Sequence, residues 1–236
     1  MRTGVGPVTA AGPARGDSSQ YEILRQMFLE GQFAAGEQLI PGRLSKLLGV
    51  SRTPVREALA LLERDGVVRQ STRGYLVIDP SPQELMELLE ARAGVDSYTA
   101  SLAAEKRSPL DVTRINEIHQ RTVSATDLHG HKRLHELFHQ ALRQAAHNPQ
   151  LETWLGNLDF RLAVCDTHPE TGSGDNMAQI GKEHSAIVEA ITAGDAEAAR
   201  VAMLEHHRRY QDLRMRLLAQ DGLPASTDEL AASLAR

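Results

Sequence analysis

Gly49-Val-Ser-Arg-Thr-Pro-Val-Arg-Glu-Ala-Leu-Ala-Leu-Leu62 reads as a turn that feeds an amphipathic helix. Val55, Ala58, Leu59 and Leu62 recur at i, i+3, i+4 and i+7, the spacing that lays four apolar side chains along one buried stripe. Thr53 is placed to cap this helix through its hydroxyl. Pro54 suits the first helical position, because its φ is preset and its missing N–H would have had no intrahelical acceptor. Arg52 and Arg56 fall off the apolar stripe near the helix N-terminus, where a helix laid in a DNA major groove touches base edges and phosphates.

The flanking sequence extends this reading. Tyr21, Leu24 and Phe28 predict a helix, and Leu44, Leu47 and Leu48 predict a short second one that stops at Gly49. Downstream, Val67-Val68-Arg69-Gln70 and Tyr75-Leu76-Val77-Ile78 have strand composition and are joined by Ser71-Thr72-Arg73-Gly74. The sum is a winged helix-turn-helix, with Arg73 at the tip of the wing. Arg52 and Arg56 are the candidates for base contacts on double-stranded operator DNA, with Arg43 and Arg73 in support and Ser51 and Thr53 on phosphates. Residues 43 to 73 carry seven Lys and Arg against three acids, although the whole chain has a formal net charge of −5. A basic patch on an acidic chain marks one domain that meets phosphate beside another that does not.

The 236 residues, 41% of them hydrophobic, suffice for one large core and one smaller one. Residues 1 to 18 are rich in Gly, Ala and Pro and read as a flexible arm, and 221 to 236 read as a flexible tail. No stretch approaches the roughly 20 apolar residues of a membrane helix. A single cysteine, Cys165, excludes an internal disulfide, fits a reducing cytoplasm, and reads as a buried small hydrophobe.

Helical periodicity takes over after Asp79-Pro80-Ser81-Pro82. The predicted organisation is thus a DNA-binding domain over 19–79, a linker at 80–82 and a helical domain over 83–220. Six helices are predicted, at about 83–105, 109–126, 129–147, 149–166, 176–193 and 195–220, separated by Ser108-Pro109, Asn148-Pro149, His168-Pro169 with Gly172 and Gly174, and Gly194-Asp195. The expected fold is mainly α: an N-terminal winged helix-turn-helix followed by an antiparallel all-α bundle, an architecture that builds ligand sites from inward side chains on facing helices.

All ten histidines lie between positions 119 and 207. His135 and His139 share a face with Phe138 and Leu142, His184 with Ile187, Val188 and Ile191, and His206 with Ala199, Ala202 and Met203. A lone inward histidine is ordinarily a satisfied core residue. Four of them from three helices are costly to bury without partners, and a divalent transition metal removes that cost. Imidazole ligands suit zinc, with nickel, copper or iron as alternatives. His135-Glu136-Leu137-Phe138-His139 also spells H-E-x-x-H, the signature of zinc hydrolases. The chain carries Leu142 and Ala145 where the extended form of that motif has Gly and His, and no strand precedes it to align a peptide, so an enzyme is the weaker reading. A direct metal sensor, in which the ion itself is the signal, is a third.

Gly49-Val-Ser-Arg-Thr-Pro-Val-Arg-Glu-Ala-Leu59, followed by Leu62-Glu-Arg-Asp-Gly66 and a short hairpin, resembles the DNA-binding domain of GntR-type bacterial repressors. Phe138-His139, Asn148-Pro149-Gln150-Leu151, Glu183-His184, Ala190-Ile191, Gly194-Asp195, Ala199-Arg200, Met203 and His206 are similar to the effector domain of the FadR subfamily, in its six-helix, VanR-like form. The resemblance covers about residues 19 to 220. It implies a homodimeric regulator whose operator affinity changes when a small carboxylate effector occupies the bundle. It places metal ligands on His139, His184 and His206, and a fourth on His135, where the family has Asp. That departure leaves a neutral ligand set, which favours borderline metals over hard ones and strengthens the attraction for an anion. The resemblance also places an effector-binding arginine on Arg92, whose plain alternative is a surface pair with Asp96 one turn on.

Overall fold

A computed structural model of the protein describes residues 17–165 and 174–221; all but the first residue of the predicted tail, most of the predicted arm and the His168-Pro169 break lie outside them. The described residues form two compact units, the first comprising the residues up to Asp79 with Ala163–Cys165 and the second Pro80–Leu162 with the residues from 174 on. The architecture is mainly α, a winged helix-turn-helix and an all-α bundle.

The first unit contains α1 (Asp17–Leu29), β1 (Gln38–Leu39), α2 (Pro41–Leu48), α3 (Arg52–Arg64), β2 (Val68–Ser71) and β3 (Gly74–Val77). Its core is the predicted stripe: Val55, Ala58, Leu59 and Leu62 of α3 are each 0% exposed, and they pack with Leu24 and Phe28 of α1 and Leu44 of α2. The short second helix forms and stops at Gly49 as expected, turning Leu44 and Ser45 inward and leaving Leu47 65% exposed. One local expectation fails. Thr53 does not cap α3: the N-cap residue is Ser51, in extended conformation and without a side-chain cap bond, which places Pro54 third in the helix. A proline remains tolerated there because N–H groups in the first turn have no intrahelical acceptor. Gly49 takes the left-handed conformation (φ 67°) that ends α2 and starts the turn.

The wing is a three-stranded antiparallel sheet in the order β1-β3-β2, with Gln38 opposite Leu76 and Ser71 opposite Gly74. Gln38 ties it together, its Nε2 donating to Ser71 Oγ (2.7 Å) and to the Tyr75 carbonyl (2.9 Å). Gly74, at φ 135°, lies against the Leu39 carbonyl and Pro41, leaving no room for a β-carbon.

The bundle consists of α4 (Pro82–Lys106), α5 (Pro109–Ser124), α6 (Leu128–Ala145), α7 (Pro149–Cys165), α8 (Gly174–Ala193) and α9 (Ala196–Asp221). α4 starts within the predicted linker, since Ser81 caps it in a reciprocal box with Glu84 and Pro82 is its first residue; Ser108 and Asp111 do the same for α5. Ala100, Ala103 and Ala104 of α4 pack with Phe138, Leu142, Ile187, Ile191 and Met203 in the main core. These small residues allow close approach of the helices that bring the histidines together. Cys165 is half-buried rather than buried.

Candidate metal centre and nucleic-acid interface

The spacing of α6, α8 and α9 brings His135, His139, His184 and His206 into one group, with a ring nitrogen from each lying within 4.8 Å of the others. His139, His184 and His206 are buried and His135 is partly so. The Nε2 atoms of His135 and His206 are 3.4 Å apart. A tetrahedral site with zinc–nitrogen bonds of about 2.0–2.1 Å has edges of about 3.4 Å, so this pair is already at ligand separation.

Two carboxylates lie behind the group. Asp96 of α4, 1% exposed, accepts from His139 Nδ1 (3.1 Å) and His207 Nε2 (3.0 Å), with Arg143 Nε at 3.5 Å. Glu183 of α8 accepts from His206 Nδ1 at 2.8 Å and from Gln179, and pairs with Arg209. A carboxylate acceptor places the imidazole proton on Nδ1 in both histidines, so the Nε2 lone pair of each is presented to the other rings. This is how metal-ligating histidines are ordinarily oriented.

Buried polar atoms test the fit of a metal. His139 Nε2 and both ring nitrogens of His184 have no hydrogen-bond partner, and His184 is 0% exposed with its ring stacked at 3.9 Å on Phe138. Leaving such atoms unsatisfied costs about 1–3 kcal/mol each. Burial, reinforced by the neighbouring imidazoles, holds His135 and His184 well below the usual histidine range. Burial also pushes His139 down to about 3 and His207 to about 4, against the pull of Asp96. Burial alone would raise the Asp96 carboxyl, but Arg143 and the two histidine hydrogen bonds outweigh it and hold it well below the carboxylate range. Neutral imidazoles with inward lone pairs are the form that takes a cation, and the group can hold a metal ion.

Glu136, the glutamate of the H-E-x-x-H string, is exposed on α6. Arg92 does not pair with Asp96. Its Nε lies 2.9 Å from Oδ1 of Asp159 on α7, and Arg143 Nη1 lies 2.5 Å from Oδ2 of the same carboxylate. A cleft of about 370 Å³ opens between α5, α6 and α8, lined by Thr122, His131, Lys182 and Ser185 among others; Arg92 is not among its lining residues.

Sequence reasoning missed Asp96 as a histidine partner, and also Glu183, Arg143, Asp159 and His207. Asp96 had a readable signal, since it interrupts the buried stripe of α4 formed by Leu85, Leu89, Ala93, Ala100 and Ala103.

In the first unit, Arg43, Ser51, Arg52, Thr53, Arg56 and Arg73 are all exposed. Arg56 of α3 and Arg73 of the wing line one cleft of about 530 Å³ with Gln70, Ser71 and Thr72. Arg52 runs over the first turn of α2, passing within van der Waals reach of Gly42.

Residues 18–77 match the family of bacterial regulatory proteins of the gntR type, and residues 87–209 match the FCD domain. An HTH-type transcriptional regulator from an unstable DNA locus of Streptomyces ambofaciens is 32% identical over 227 residues, covering 92% of both chains. An Escherichia coli K12 protein provisionally named as the regulatory protein of the L-lactate dehydrogenase operon is 30% identical, over 82% of this chain and 84% of its own. The E. coli McbR/YncC structure superposes with a TM-score of 0.71 at 20% identity, over 87% of this chain and all of that one, which speaks to the fold alone. With a gntR-type winged head and an FCD bundle covering more than half of its length, the chain belongs to the GntR family of bacterial transcriptional regulators and is not an enzyme.

Proposed function

We propose that this regulator is a metal-dependent, ligand-responsive repressor of the FadR subfamily, in its VanR-like form, acting as a homodimer on palindromic operator DNA. In this reading Arg52 and Arg56 contact bases, while Arg43, Ser51, Thr53 and Arg73 hold the phosphate backbone. Their common exposure, and the cleft shared by Arg56 and Arg73, support the assignment. Two heads are required because one recognition helix reads only a few base pairs. His135, His139, His184 and His206 hold zinc, which when bound supplies a buried positive charge. A small carboxylate effector is drawn to that charge and to Arg92. The E. coli relative named for a lactate operon is in keeping with an organic acid.

The observation that carries the metal reading is the pair of carboxylates, Asp96 and Glu183, which turn two of the four imidazoles inward. The test combines metal analysis with titration of an operator selected from random double-stranded DNA. Wild type is expected to retain about one zinc per chain. His184→Ala and His206→Ala should lose metal and effector response yet bind operator, whereas His135→Asp should keep the metal and weaken the anion. Full metal content and a normal response in both alanine variants would make the histidines core residues.

One observation favours a second reading, direct metal sensing. Four imidazoles complete a tetrahedral shell and leave no open position on zinc for a ligand. Operator release on adding zinc alone, without an organic anion, would decide for it.

A further inference from the structure

The place where the sequence expects an effector carboxylate is filled by a carboxylate of the chain itself. Arg92 of α4 and Arg143 of α6 converge on Asp159 of α7, one on each oxygen. The two cations are far less accessible than their partner: the side chains are 16% and 6% exposed, against 34% for Asp159. A guanidinium cannot shed its charge when buried, so this pair always requires an anion. A half-exposed aspartate has no such need, since it can return to water without stranding a buried charge.

The internal pairing is also incomplete. Arg92 Nε and Asp159 Oδ1 are close, yet neither atom makes a hydrogen bond of acceptable geometry. Arg143 Nη2 is buried with no partner, and its contact to Asp96 is long, at 3.5 Å. Apart from that long contact to Asp96, the two guanidinium forks share the carboxylate of Asp159, which sits flat across neither, although a planar carboxylate is the natural bidentate partner of each. Arg92 is also close enough to His135, His139 and His207 for its charge to disfavour their protonation, so an anion on these arginines lies in the field of the histidine group.

We propose that Arg92 and Arg143 form an anion site for a small organic carboxylate, and that Asp159 is a tethered placeholder which the ligand displaces. The exchange moves α7 rather than the buried helices, because the displaced group is the one carried by α7. The inference rests on the organic-acid reading above but not on the metal.

Succinate serves as the probe and succinamide as its neutral control, on the full chain in zinc-loaded and chelator-treated forms. Calorimetric titration should show Asp159→Asn binding succinate at least about fivefold more tightly than wild type, the low end of ordinary coupling between competing partners. Asp159→Glu should match wild type, and Arg92→Gln should lose the binding in either background. Hydrogen exchange on wild type provides a check without substitution: saturating succinate should raise exchange along α7. Equal succinate affinity in wild type and Asp159→Asn, equal binding of succinamide, or no succinate binding by either protein would each overturn the proposal. Failure of the metal reading alone looks different: wild type would hold no zinc, while the ordering of the variants would persist in chelated protein.

Discussion

In the head, Arg52 and Arg56 are exposed while Val55 and Leu59, on the other side of the same helix, are 0% exposed. In the bundle the groups proposed to act are themselves core: His184 is 0% exposed and His139 2%, packed among Phe138, Ile187 and Met203. The head therefore separates the side chains that hold the fold from those that meet a partner. The bundle uses the same side chains for both. Substitutions in the head should change binding at constant stability, whereas substitutions or titration in the bundle should change stability and ligand affinity together.

Acid should make this difference largest. His135, His139, His184 and His207 have folded values well below the unfolded 6.5, so below about pH 6.5 the unfolded chain takes up protons that the folded chain refuses, and stability falls as pH falls. With His139 near 3 and His207 near 4, each costs on the order of 2 kcal/mol at pH 5 relative to pH 7. Chelator-treated protein should melt several degrees lower at pH 5 than at pH 7, and saturating zinc should reduce the gap. A melting temperature unchanged across that range in stripped protein would break the comparison from the bundle side.

The head is tested by the Arg52→Ala, Arg56→Ala double variant. It should lose roughly 1–3 kcal/mol of operator discrimination per arginine. Its melting temperature should stay at the wild-type value, since exposed substitutions shift stability by about 0.5 kcal/mol or less. Wild-type operator affinity in the double variant would remove these residues from the interface.

Asp96→Asn probes the bundle without touching a proposed ligand. An amide can offer its NH2 to His139, which releases the ring from the tautomer that turns Nε2 inward. Zinc affinity should fall about 10- to 100-fold, read by competition with a chromogenic chelator. Cobalt substitution should give an altered visible spectrum, which a defect of folding alone would not produce. The smallest effect belongs to Arg73→Ala, where one lost phosphate contact should lower the salt-dependence slope of operator binding by about 0.9. A slope unchanged from wild type would place the wing tip off the backbone.

The two units also differed in how openly the sequence announces them. Within α3 every informative spacing is seven residues or fewer, so the stripe and the arginines opposite it could be read directly. β1 could not, because two residues are too few for an alternation to show. The six bundle helices carry Pro and Gly punctuation and were legible to within a few residues, except where the cap at Ser81 and Glu84 starts α4 inside the expected linker. The four histidines stand out because each interrupts an apolar face. Asp96 also interrupts an apolar stripe, but its partners could not be read, because it lies 43 and 111 positions from its two histidines and nothing local connects them. Arg92 was identifiable as a candidate, but its actual partner, Asp159, sits on a different helix.

The four-histidine group contains no sulfur. Many intracellular metal centres rely on cysteine thiolates, which peroxide converts to sulfenic acid or disulfide with loss of the ion. An all-imidazole shell has no thiol to lose. With zinc, the redox-inert ion proposed for these rings, retention would depend on acidity rather than on thiol oxidation.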